Sequence, residues 1–165
     1  MYRTMTSADA AMDAAETAGP CTLRSPTAGW YLLTVSRLAA RGTGRVGTGD
    51  LAERLDTSPA SVTEMVGRLA EDAVLEYEKY AGVELTPRGA AIAESLAWRQ
   101  CVVTSFFDRV LAYDIDDYTA YRIGYTIPEA GVHRLQERID DPRVDACRRI
   151  GEGSDGCLVE AHAEG

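Results

Sequence analysis

The residues with most to offer chemically lie between positions 58 and 68. Ser58, Ala60, Ser61 and Thr63 are short, three of them carrying hydroxyls, and Glu64 and Arg68 follow at a four-residue step. Short side chains at the start of a helix let backbone N–H groups approach phosphates and leave hydroxyls free to bond base edges. Glu64 can accept from a cytosine amino group or simply face solvent, and Arg68 can reach a backbone phosphate or pair with Glu64 or Glu71 along the helix. Lys79, the sole lysine, sits beside Tyr80 where a hairpin would turn, a place from which an ammonium can touch the duplex backbone or minor groove.

Other reactive types do not converge. Cys21, Cys101, Cys147 and Cys157 form no CxxC pair, and Cys147, Cys157 and His162 match no standard metal spacing. Cys101 reads as core filler, and Glu129 and His133 as surface residues. The Gly-rich stretch RGTGRVGTGD follows no strand and lacks the Lys-Ser/Thr ending of a phosphate-binding loop. With no nucleophile–base pair in view, an enzyme is excluded, and no metal site is assigned.

Elements must hold the hydroxyl cluster in place. TAGWYLLTVSRLAARG reads as a first helix stopped by Gly42, and a second short helix runs to Leu55, capped by Thr48 or Asp50. After a break at Asp56-Thr57, Ser58-Pro59 starts a third helix whose inner face is Val62, Met65, Val66 and Leu69. VLEYEKYAGVELT reads as a hairpin turning near Ala81-Gly82, and Thr86-Pro87 opens a long helix to Leu111. Two further helices follow, from about Tyr118 to Ile127 and from Pro128 to Ile139. The fold class is mainly α with a small β-hairpin: a winged helix-turn-helix followed by a helical dimerisation region. The divisions are a flexible arm (1–24), the winged domain (25–90), the dimerisation region (91–140) and a disordered tail (141–165). Trp98, Val102, Phe106 and Val110, spaced by four, offer an apolar stripe to a second copy.

The formal charge of −9 runs against a nucleic-acid partner, since phosphates favour Lys and Arg. An acidic composition with a single lysine is suited to concentrated salt, where the Debye length falls to about 3 Å at 1 M, so net charge says little about partners. The halophilic reading rests on that composition. No apolar run approaches the roughly 18 residues of a membrane span, and the N-terminus has no secretory pattern, so a cytoplasmic location follows. Double-stranded DNA is the anticipated partner. The alternatives are a winged-helix module that contacts proteins, for which the acidity speaks, and a regulator using a different metal or redox site.

DLAERLDTSPASVTEMVGRLAEDAVLEYEKYAGVELTPRG resembles the second helix, recognition helix and wing of the metal-dependent repressors of diphtheria-toxin-repressor and manganese-transport-regulator type. The resemblance extends to YLLTVSRLAARG and to the long helix with its following helical pair, and is most specific in YEKYAGVELTPRG. It implies a homodimeric repressor on a partly palindromic operator, under manganese or iron control. The ligand positions it implies hold other residue types. Trp30 and Leu33 occupy them in the first helix, Gln100 stands for a histidine, and Thr104 for a carboxylate. The downstream positions fall at Tyr121, Gly124 and Tyr125, or in a second register at Ile123, Thr126 and Ile127. Large groups there can fill the space and fix the reading head without metal.

Overall fold

The computed structural model describes residues 23, 25–42 and 44–139. The first 22 residues, the tail from 140, and with them Cys21, Cys147, Cys157 and His162, lie outside the described residues. Helix α1 is Pro26–Ala40, α2 Thr48–Arg54, α3 Pro59–Glu71; strands β1 (Leu75–Glu78) and β2 (Gly82–Leu85) follow, then α4 (Pro87–Leu111), α5 (Asp117–Thr126) and α6 (Glu129–Gln136).

Three helices begin by one device. Ser25, Ser58 and Thr86 each precede a proline and accept a hydrogen bond from the N–H three residues on. The proline presets φ and has no N–H to leave unsatisfied, while the hydroxyl satisfies another, an arrangement worth about 1 kcal/mol per cap. Helix α2 differs from the sequence reading: its cap is Gly47, which makes no side-chain bond, and Thr48 is already helical. Helix α6 ends at Gln136, short of the anticipated Ile139, which packs as a partly buried side chain beyond it.

The strands pair antiparallel, Leu75 with Leu85 and Glu78 with Gly82. Val46 adds a one-residue bridge on the other side of β2 that sequence patterning does not announce, exchanging both backbone hydrogen bonds with Val83 at 2.8 and 2.9 Å. Gly82 permits this approach: its φ is +97°, and a Cβ there would overlap the Val46 carbonyl.

Leu32, Leu33, Val35, Leu51, Val62, Val66, Leu69, Val74 and Val83 form the core of the winged module. Helix α4, about 37 Å long at 1.5 Å per residue, gives Ile92, Ala93 and Leu96 to that core. Its second half gives Cys101 and Val102 to a cluster with Val132 of α6, and Val103 to another with Ile115 and Ala120. The four-residue stripe is therefore divided. Trp98 and Val102 are covered within the chain by α6, whereas Val110, 47% exposed, stays open beside Leu111 and Tyr113. Periodicity marks a face as apolar but does not say what covers it. Among the described residues no helix is long and apolar enough to cross a membrane.

Candidate nucleic-acid interface

Helices α2 and α3 are joined by a tight turn in which Asp56 takes φ +48° and the N–H of Thr57 reaches back to the Ala52 carbonyl. Aspartate tolerates this left-handed conformation better than most residues, since its short polar side chain can bond locally. With Val62, Val66 and Leu69 buried, Ala60, Ser61, Thr63, Glu64 and Arg68 fall on the opposite side, within an arc of about 160° at 3.6 residues per turn. All five, and Ser58 at the cap, are exposed.

Their hydroxyls are partly engaged. Ser58 Oγ accepts from the Ser61 N–H at 3.1 Å and lies 2.9 Å from Ser61 Oγ, and Thr63 Oγ1 donates to the Pro59 carbonyl at 2.9 Å. Each oxygen retains acceptor capacity towards an incoming amino group. Arg68 is paired with Glu64, one of the two carboxylates offered to it along the helix. The pair is well exposed, so water screens it and little energy opposes its opening.

Lys79 stands apart from this group, on the wing. The turn closes through the Ala81 N–H to the Glu78 carbonyl at 3.1 Å, with Tyr80 at φ +72°. Tyr80 is 96% exposed, and Lys79 Nζ lies 5.2 Å from its ring centroid. Arg45 holds the wing from the side, pairing with Glu78 at 3.1 Å and Glu84 at 3.3 Å and offsetting two of its carboxylates. No short-range pattern marks Arg45, whose partner Glu78 is 33 residues away.

A second site joins the reading module to the later helices. The Trp30 ring centroid lies 5.0 Å from that of Tyr121, which is 5.9 Å from that of Tyr125. The hydroxyls of Tyr121 and Tyr125 donate to the carbonyls of Pro26 and Leu23, the latter a core residue although the sequence reading placed it in the arm. Gly29 and Gly124 allow this closeness: a Cβ at Gly29 would overlap the Tyr121 hydroxyl, and one at Gly124 would press on the Arg99 backbone at 3.0 Å. Of the two downstream registers, Tyr121, Gly124 and Tyr125 is thus the one facing α1; Ile123 and Ile127 pack in the other clusters.

Manganese and iron need imidazole, thiolate or carboxylate donors, and indole, phenol and aliphatic groups do not serve. Among the described residues no three His, Cys, Asp or Glu side chains converge, so the residues at the implied ligand positions do not fit the metal. Gln100 is fully buried, accepting from Arg37 at 2.8 Å and donating to the Asp117 carbonyl at 3.0 Å. Thr104 Oγ1 is buried without a hydrogen-bond partner.

Arg99 is a buried arginine that no sequence pattern marks. Its guanidinium donates to the carbonyls of Gly124 and Ile127, at the end of α5, and pairs with Glu129 at 3.3 Å. Positive charge at a helix C-terminus is favourable. Glu129 therefore does more than face solvent, and its other neighbour is His133, at 3.8 Å.

A hydroxyl-bearing helix presented beside a wing, carried on a long shared helix, defines a winged helix-turn-helix protein of the DNA-binding class. Residues 25–83 match the family described as "Iron dependent repressor, N-terminal DNA binding domain". The chain is 34% identical over 118 residues to the HTH-type transcriptional regulator MntR of Geobacillus thermodenitrificans, covering 67% of this chain and 81% of the relative. It is 32% identical over 124 residues to the MntR of Oceanobacillus iheyensis, covering 72% and 83%. The solved structure of the manganese regulator SloR superposes with a TM-score of 0.59 at 27% identity, over 67% of this chain and 52% of that one, so the chain spans about half of that solved chain. The chain belongs to the metal-dependent repressor family of diphtheria-toxin-repressor and manganese-transport-regulator type, and is a DNA-binding transcription regulator, not an enzyme.

Proposed function

We propose that the protein acts as a homodimeric repressor in the cytoplasm, setting one α3 in each of two major grooves and binding its operator without a metal corepressor. The observation that carries this reading is the side-chain filling of the joint. Trp30, Tyr121 and Tyr125 occupy the implied ligand positions and tie α5 to α1 and to Leu23 just before it, by ring contacts and two hydroxyl-to-carbonyl hydrogen bonds. Such contacts persist whatever the supply of manganese or iron. In the groove, Ser58, Ala60, Ser61 and Thr63 meet base edges, Glu64 takes a cytosine amino group, Arg68 swings from Glu64 to a phosphate, and Lys79 touches the backbone from the wing. The open apolar end of α4, Val110 and Leu111, with Tyr113 just beyond it, supports pairing with a second copy.

Genome-wide mapping of bound DNA, with and without a chelator, tests the reading directly. The same fragments are recovered in both, and a Ser61→Glu, Thr63→Glu variant that melts normally recovers none. Fragments that appear only with added manganese would overturn the metal-independent part. A single lysine among 165 residues at a formal charge of −9 supports a protein adapted to concentrated salt. Thermal stability rising up to molar KCl is the matching observation, and a flat or falling profile counts against it.

A further inference from the structure

Arg37 is set where one side chain touches three helices. Its side chain is only 13% exposed, and it leaves α1 to donate to Gln100 Oε1 on α4 at 2.8 Å. Nη1 lies 3.9 Å from the Asp117 carboxylate in the first turn of α5, and the guanidinium carbon sits 5.7 Å from the Trp30 ring centroid. Gln100 completes the loop by donating Nε2 to the Asp117 backbone carbonyl. Every polar atom of the amide is used, its oxygen towards the cation and its nitrogen towards α5, a pattern that neither glutamate nor leucine could reproduce. Asp117 is itself placed by Asp116, whose carboxylate caps α5 through the Thr119 N–H. On the solvent side the cluster borders a cleft of about 260 Å³ lined by Trp30, Arg54, Asp116 and Tyr118.

We infer that Arg37 is a positioning residue for DNA reading: a cation built into the chain, which through Gln100 and Asp117 holds the reading module at a fixed angle to α4 and α5. The inference rests on the metal-independent reading above and gives it a mechanism, for a side-chain guanidinium occupies the joint in place of an ion. Guanidinium makes several directed hydrogen bonds from one planar fork, which suits it to hold two partners at once. Lysine would keep the charge but not the fork that reaches Gln100 and Asp117 together.

The test uses the full chain and a genomic duplex selected by the wild-type protein, with a random duplex as reference, in EDTA and in manganese chloride. Arg37→Met is predicted to lose about tenfold in preference for the selected duplex, a typical coupling between a joint and a binding surface, while binding random duplex as before. Arg37→Lys is predicted to recover part of the loss. Hydrogen exchange should quicken in the first turn of α5 in Arg37→Met and leave α3 unchanged, a pattern that general loosening would not give. A folded Arg37→Met with wild-type preference and wild-type exchange overturns the inference. If Arg37→Met does not fold, Asp117→Asn decides in its stead: weakened preference supports the clamp, and unchanged preference overturns it. Wild type that binds only with manganese sinks the metal-independent reading alone, and the clamp is then judged by the same variants in manganese.

Discussion

Tyr121, on the first half of α5, packs its ring at a tilt against that of Trp30 of α1, 5.0 Å between centroids, and its hydroxyl donates a hydrogen bond to the Pro26 carbonyl. Packing and hydrogen bond can be separated by mutation. Tyr121→Phe keeps the ring and costs about 1 kcal/mol, whereas Tyr121→Ala opens a cavity in the main core and costs about 3–5 kcal/mol. Urea unfolding of the two variants measures both. Equal losses would mean that the ring contributes nothing beyond its hydroxyl.

The buried Arg99 leans on one carboxylate. Glu129→Gln keeps the shape and removes the charge; because Glu129 is 44% exposed the loss is discounted to about 1 kcal/mol, well below that of a fully buried pair. A denaturation midpoint unmoved by this change would show that the two carbonyls at the end of α5 hold Arg99 without help from the carboxylate charge.

Lys79 is tested by salt. If it contacts a phosphate, Lys79→Ala weakens binding to all duplexes alike and reduces the slope of log K against log salt by about one for each subunit that makes the contact. A variant with wild-type slope would place the ammonium over Tyr80 and nowhere near the duplex.

Asp116 gives a pH signature. The side-chain and backbone hydrogen bonds from Thr119 hold its carboxyl below the ordinary 3.8. A depressed folded value means that the unfolded chain takes the proton more readily, so the stabilisation is present above 3.8 and is lost as pH falls through the folded value. Asp116→Asn also caps the helix but does not titrate, so its stability deficit against wild type narrows from pH 6 to pH 3. A constant difference across that range would refute the assignment.

Ala112 ends α4 in the left-handed region, at φ +50° and ψ +42°. Alanine there costs roughly 1–2 kcal/mol, and glycine relieves this while losing about 0.5–1 kcal/mol of chain entropy. Ala112→Gly is predicted to be neutral or to stabilise by about 0.5 kcal/mol. A clear drop in melting temperature would count against the geometry of this cap.

How much of this was legible depends on sequence distance. The Ser-Pro and Thr-Pro starts, the inner face of α3 and the wing are local signals, and the chain carries them openly at Ser58-Pro59 and Thr86-Pro87. Arg37 and Gln100 are 63 residues apart, and Arg99 lies 30 from Glu129, so no periodicity links either pair. Val46 joins the sheet by a single residue, too short to register as alternation. The ambiguity between Tyr121 and Ile123 was one of register, and only the ring of Trp30, brought up from the other end of the fold, resolves it. The spacing of Trp98 and Val102 fits a surface for another subunit equally well, because apolar spacing cannot distinguish a neighbour in the same chain from one in a second copy.

Helix α4 supplies side chains to the packing beneath the wing and to the packing beneath α6. Because one helix belongs to both interiors, loosening one removes part of the support of the other. Heating should therefore give one calorimetric peak across the described region, the two interiors sharing α4 as a common rib.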